Sequence, residues 1–112
     1  MKKSITVLGG GNAAHMMAAD LTLRGFDVNL CEHPSFEKSF KPTLEKGEIE
    51  VVGPIIRGTA RIHKVTIDIK EALCDVDLIN VAITSIGHDT FFNDMIPHLQ
   101  DGQLVIVWAG DA

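Results

Sequence analysis

The residues whose types and spacing can do chemistry lie near the amino end. Val7-Leu8-Gly9-Gly10-Gly11-Asn12-Ala13-Ala14 leaves an apolar run, turns through glycines and enters a helical pattern. It fits the G-x-G-x-x-A form of the dinucleotide fingerprint: Gly9 makes the tight turn, Gly11 lets the backbone approach a pyrophosphate, and Ala14 lets the helix sit close to the strand. The anion then lies on the unpaired N–H groups where the helix starts, at Asn12, Ala13 and Ala14, on the favourable end of the helix dipole. Glu32 follows about 20 residues later, where an acidic side chain accepts hydrogen bonds from the adenosine ribose hydroxyls. Its charge repels a 2′-phosphate, which favours NAD over NADP. Glycines alone would fit a plain strand-to-helix turn; the flanking strand, the helix and Glu32 select the nucleotide reading.

Further candidates lie around this motif. Asn12 can cap the helix or hydrogen-bond across the nicotinamide side. The segment Ala82-Ile83-Thr84-Ser85 leaves a strand at the carboxyl edge of the sheet, where the backbone of Ile83 and Thr84 can touch the nicotinamide ribose. His88 titrates near neutrality and is the candidate proton carrier, with a surface or capping role as the plainer reading. His15 reads as structural, Met16 and Met17 as packing, and His33 as a surface histidine. Spacing yields no Ser-His-Asp set, paired carboxylates or metal site.

The elements that must position these residues alternate between strand and helix. Ser4 to Leu8 and Phe26 to Cys31 read as strands, joined by a helix whose apolar face is Ala14, Met17, Ala18 and Leu21 and which ends at Gly25. This is a βαβ unit, requiring parallel pairing and a right-handed crossover. A short helix is expected within Ser35 to Lys46. Two short strands follow, Ile49 to Pro54 and Ile55 to Ile62, as an antiparallel excursion. Lys64 to Ile67 is a third main strand, and Asp68 with Glu71 forms a capping arrangement for a helix over Ile69 to Cys74. Asp77 to Ile83, apolar but for Asn80, is a central strand; Phe91 to Ile96 is helical, and Gln103 to Trp108 is a fifth main strand. The expected fold is therefore α/β: a Rossmann-type doubly wound parallel sheet with a small antiparallel β insertion after the second strand.

Composition sets bounds on partners and setting. The 112 residues suit one domain, and 46% hydrophobic with 22% charged residues suits a folded one. A formal net charge of −5 without a Lys/Arg cluster argues against nucleic acid. No apolar stretch reaches the roughly 20 residues of a membrane span, and the amino terminus lacks a signal-peptide layout, so a cytoplasmic setting is expected. Cys31 and Cys74, far apart, are expected to be buried free thiols.

Together these segments resemble the amino-terminal domain of the octopine/nopaline (opine) dehydrogenases. The resemblance is carried by Gly9 to His15, Ala19-Asp20-Leu21 through Gly25, Val28 to Glu32, Gly47-Glu48-Ile49 with Gly53, and Thr66-Ile67-Asp68 with Glu71-Ala72. It continues in Asp77-Leu78-Ile79, His88 with Phe92, and Leu99 to Gln103, and so covers nearly the whole chain. It implies an NAD(P)-dependent oxidoreductase acting on CH–NH groups, which reduces the imine formed between an α-keto acid and an amino acid. It also implies a second, helical domain carrying the main catalytic histidine, so residues 1–112 are expected to be one domain of a longer two-domain enzyme, inactive alone. A homodimer is an assembly such an enzyme can take. The chain departs from the family pattern at Ala82-Ile83-Thr84-Ser85 and at Ala109-Gly110, where prolines are common. Alternatives are a ketopantoate reductase or 6-phosphogluconate-type dehydrogenase domain, a non-catalytic NAD-sensing regulatory domain, and an FAD-binding domain.

Overall fold

The computed structural model describes residues 4–55, 57–83 and 91–108. Five parallel strands form the main sheet: β1 (Ser4–Leu8), β2 (Asp27–Cys31), β5 (Lys64–Thr66), β6 (Leu78–Val81) and β7 (Leu104–Val107). Their spatial order is β5-β2-β1-β6-β7. In register, Leu8 lies beside Cys31 on one side and Val81 on the other, so three carboxyl ends are level. The order reverses at β1, and in open α/β sheets the crevice outside the carboxyl ends at such a reversal is where ligands bind. The doubly wound parallel sheet read from the sequence is the sheet observed.

The strands are apolar along their length because both faces are covered. On one face Val7, Val28 and Leu30 pack with Ala14, Ala18 and Ala19 of α1 (Asn12–Leu23). Three fully buried alanines on one stripe let this helix lie close to the sheet. On the other face Leu8, Cys31, Ile79 and Val81 pack with Ile69, Ala72 and Leu73 of α3 (Ile69–Leu73) and with Phe91 and Met95 of the helical residues 91–95. Helix α1 stops where the sequence places its end: Gly25 takes φ +101, its N–H donates to Thr22 O, and the Phe26 N–H donates to Leu21 O. This double bond is the Schellman closure that glycine permits. Asp68 caps α3 by accepting from the Glu71 N–H at 3.2 Å, as its spacing predicts.

A single 3-10 turn, Pro34–Phe36, leads from β2 into α2 (Glu37–Lys46), which ends at Gly47 with φ +65. The antiparallel insertion is present as β3 (Glu48–Val51) paired with β4 (Gly58–Arg61). With Ile62 just beyond it, it adds Val51 and Ala60 to the α1 side of the core. The polar interruption in β6 is also accounted for: Asn80 is buried and accepts a hydrogen bond from the Trp108 indole at 3.0 Å.

One detail here differs from the sequence reading. Cys31 is buried as expected, but Cys74 is exposed: it is the C-cap of α3, one residue past the buried Leu73, and lies outside the core. Burial, and then the nearby carboxylates of Glu32, Asp68 and Glu71, push the Cys31 thiol up to about 12, so it is inert at neutral pH. In β7, Leu104, Ile106 and Val107 are exposed at 60%, 37% and 43%, because β7 is an edge strand of the sheet.

Candidate functional site

The glycine turn lies at the sheet's reversal point, and its three glycines sit in three different surroundings. Gly9 follows β1 directly with φ +138, a region that L side chains rarely adopt, and its N–H donates to Cys31 O at 2.8 Å. A methyl group there would sit 2.3 Å from Ala82 O, on the backbone leaving β6, and 3.1 Å from the Ala14 methyl. Gly10 faces Glu32: a methyl group would lie 2.1 Å from Glu32 Oε2. Gly11 is the N-cap of α1 in extended conformation, and a methyl group there would meet nothing within 4 Å.

The open space at Gly11 fits an anionic group. The first N–H groups of a helix have no intrahelical acceptor, and the first turn of α1 carries no acidic residue to compete for them. Asn12 and Ala13 are exposed and Ala14 is buried, so the first turn presents backbone to this space and an apolar side to the core. The expected Asn12 side-chain cap is not made. The N-cap position belongs to Gly11, and Asn12 is already the first helical residue, too far along to act as the cap.

Glu32 is only 9% exposed, folded back over the glycine turn. Its Oε1 accepts the His33 N–H at 2.8 Å, while Oε2 lies against Gly10. Burial raises its pKa above the ordinary carboxyl value; the hydrogen bond from His33 and the proximity of His33 and His15 work in the opposite direction. A buried carboxylate with unused acceptor capacity is suited to bind hydroxyl donors.

Two histidines brace this corner. His15, one turn into α1, contacts Gly11 O through Nδ1 at 3.0 Å and Thr43 Oγ1 through Nε2 at 2.8 Å, with its ring edge-on to Phe40. The carbonyl can only accept, so Nδ1 donates and Nε2 takes the threonine hydroxyl proton; the glycine turn is thereby tied to α2. His33 is not the surface histidine expected. It is 9% exposed, edge-on to Phe91, and hydrogen-bonded through Nδ1 to Ser35 Oγ (2.7 Å) and through Nε2 to the Asp94 carboxylate. Sequence reasoning missed this pair because its members are 61 residues apart. It also gave Gly10 no role, since the fingerprint specifies only the outer glycines. A groove of about 570 Å³ opens beside the pair, between Pro34, Ile67, Lys70 and Asp94.

Ile83 is half-buried against the α3-side core and comes within reach of Gly9. Thr84 and His88 lie outside the described residues.

No protein-family model matches the chain. In sequence it is similar to an opine dehydrogenase of Arthrobacter sp. (strain 1C), with 32% identity over 108 residues, 96% of this chain and 30% of that protein. Among solved structures, an octopine dehydrogenase in complex with NADH and agmatine superposes at a TM-score of 0.80, with 22% identity over 95% of this chain and 28% of its own. A glycerol-3-phosphate dehydrogenase from Coxiella burnetii superposes at 0.77, with 20% identity over 96% of this chain and 32% of its own. The chain thus spans about three-tenths of the length of these relatives. The two structural likenesses establish the Rossmann-type fold, and over nearly its whole length the chain is similar in sequence to an opine dehydrogenase.

Proposed function

We propose that this chain is the NAD-binding part of an oxidoreductase that acts on CH–NH bonds, joining an α-keto acid to an amino acid by reduction of their imine. The observation that carries the cofactor reading is the Glu32 carboxylate, buried over the glycine turn with one oxygen engaged by the His33 N–H and the other facing Gly10. In this reading the pyrophosphate lies on the open helix start at Gly11, Asn12, Ala13 and Ala14, the adenosine ribose on Glu32, and the nicotinamide ribose beside Ile83 and Thr84. Gly9 lets β1 turn without colliding with Ala82, which keeps the two halves of the crevice at their observed spacing. The dinucleotide supplies hydride chemistry. The chain's own residues bind and orient it, with His88 the candidate for moving a proton, and the catalytic histidine and most of the substrate pocket belong to a helical domain as in the opine dehydrogenases. NAD is favoured over NADP because a 2′-phosphate would be brought against a buried carboxylate. Among the described residues no helix is long and apolar enough to cross a membrane, and we place the domain in the cytoplasm.

The test is calorimetric titration of the chain with NADH and with NADPH. The unaltered protein binds NADH more tightly and, by itself, shows no turnover with pyruvate and amino acids. Glu32→Ala removes hydrogen bonds to a charged acceptor worth about 1.5–3 kcal/mol, so NADH weakens about 10- to 100-fold and NADPH by less. Tighter binding of NADPH by the unaltered protein overturns the NAD assignment, and binding of neither overturns the site.

A further inference from the structure

The contact between His33 and Asp94 joins two parts of the molecule that the sheet alone does not connect: the turn after β2, and the helical residues 91–95 that pack on the α3 side of the sheet. Its chemistry is one-directional. Nδ1 of His33 accepts the Ser35 N–H at 3.1 Å, within the cap of the 3-10 turn, and this leaves Nε2 as the ring's N–H, aimed at the Asp94 carboxylate. The ring is held in three directions, by Ser35 on one edge, Asp94 on the other and Phe91 against the ring. The backbone N–H of the same residue is the donor to Glu32 Oε1. The side-chain contacts of His33 thus act on the same residue whose backbone N–H orients the Glu32 carboxylate.

We propose that Asp94, acting through His33, is a positioning residue for Glu32, and that this relay rather than Glu32 alone sets the preference for a dinucleotide with a free ribose 2′-hydroxyl over one carrying a 2′-phosphate. The inference rests on the dinucleotide reading of the site. Three observations support it. The Glu32 residue is 9% exposed, and one oxygen of its carboxylate accepts from a protein donor, the His33 N–H. Its burial raises its proton affinity, and the His33 N–H is among the few contacts that favour the charged form. Asp94, by contrast, has its side chain half exposed and sits in no hydrophobic cluster, so its removal leaves the core intact. A buried His33 whose ring is pinned at both nitrogens, next to the one acidic residue at the end of β2, is more than packing requires.

The experiment measures NADH and NADPH dissociation constants for the unaltered chain, Asp94→Ala, Asp94→Asn, Glu32→Gln and the double variant Glu32→Gln with Asp94→Ala, with urea midpoints recorded for each. Asp94→Ala is expected to weaken NADH about tenfold while changing NADPH little, so that the preference ratio contracts about tenfold. Asp94→Asn, which keeps an oxygen acceptor for Nε2, retains most of the ratio. In the Glu32→Gln background Asp94→Ala has no further effect on the ratio, because the residue through which it acts is already altered. His33→Gln, which breaks the relay at its middle, reproduces the contraction and guards against a folding defect peculiar to position 94. An unchanged ratio in Asp94→Ala overturns the relay, and so does an additive effect in the double variant, which would mean that Asp94 meets the ligand directly. If the unaltered chain binds neither dinucleotide, the site reading falls and the relay falls with it; binding with an Asp94-independent preference removes the relay alone.

Discussion

Replacing Gly9 by alanine tests the geometry at the sheet's reversal point directly, because two separate costs can be read from the structure. At φ +138 an L residue occupies a region that only glycine visits freely, at about 1–3 kcal/mol. The new methyl would also stand 2.3 Å from Ala82 O, so β1 and the end of β6 must separate by about 1 Å to reach van der Waals contact. That movement strains a buried hydrogen bond between the same two segments, Ala82 N–H to Leu8 O at 2.9 Å. Losing it without replacement costs about 1–3 kcal/mol. The sum is roughly 2–6 kcal/mol, centred near 4, against a total stability of about 5–15 kcal/mol for a domain. Gly11→Ala is the matched control: its φ of −84 and ψ of −174 suit alanine, and the methyl meets nothing. Its cost is under about 1 kcal/mol, since alanine is slightly worse than glycine at an N-cap and slightly better in the unfolded chain. Urea unfolding followed by far-UV circular dichroism gives both values in one experiment. A Gly9→Ala protein within about 1 kcal/mol of the unaltered one, or a Gly11→Ala protein destabilised equally, would refute the reasoning.

Two further outcomes concern the same corner. The folded pKa of Glu32 lies above its ordinary value of 4.5, so the folded chain holds this proton more tightly than the unfolded one. The residue's contribution to stability is therefore most favourable below the ordinary value, falls as pH rises through the folded value, and stays as a constant penalty above it. Glu32→Gln removes that fall, so its urea midpoint gains on the unaltered protein between acid and neutral pH; a gap that stays flat over that range contradicts the burial argument. Phe40 is 2% exposed and backs the His15 ring, so Phe40→Ala costs about 3–5 kcal/mol in the same assay. A loss below about 1.5 kcal/mol would mean that the α2 side of the core does not depend on it.

Much of this molecule is legible along the chain, and what is legible is local. The alanine stripe of α1, its Gly25 stop, the Asp68 cap and the apolar runs of β1, β2 and β6 each follow from residues within one or two turns of each other. A run such as Leu78 to Val81 specifies a strand covered on both faces whatever covers it. Exposure of β7 was not legible, because an apolar strand reads alike at the centre of a sheet and at its edge; strand order decides, and order is a property of the whole sheet. The candidate site divides in the same way. Gly9, Gly11 and Glu32 stand out by spacing, since the fingerprint is a local motif plus one fixed offset. Gly10 and His33 do not. The first is constrained by a side chain 22 positions away that folds back over it, the second by a carboxylate brought near only when residues 91–95 pack on the sheet. Asn12 misled for a related reason: its residue type suits an N-cap, but the helix begins one residue earlier and leaves it inside the first turn.

The contact between Gly10 and Glu32 also limits the routes by which such a chain can change through descent. A methyl at position 10 and the Glu32 carboxylate claim the same volume, so position 10 cannot gain a side chain while Glu32 stays folded over it. Any lineage that acquires a side chain at position 10 while Glu32 is in place displaces the carboxylate from the turn. The reverse order is open: once position 32 has shortened, position 10 is released and can accept alanine or serine. Glycine at position 10 thus acts as a record of the acidic residue opposite it, and drift at position 10 should trail loss of that acid rather than precede it.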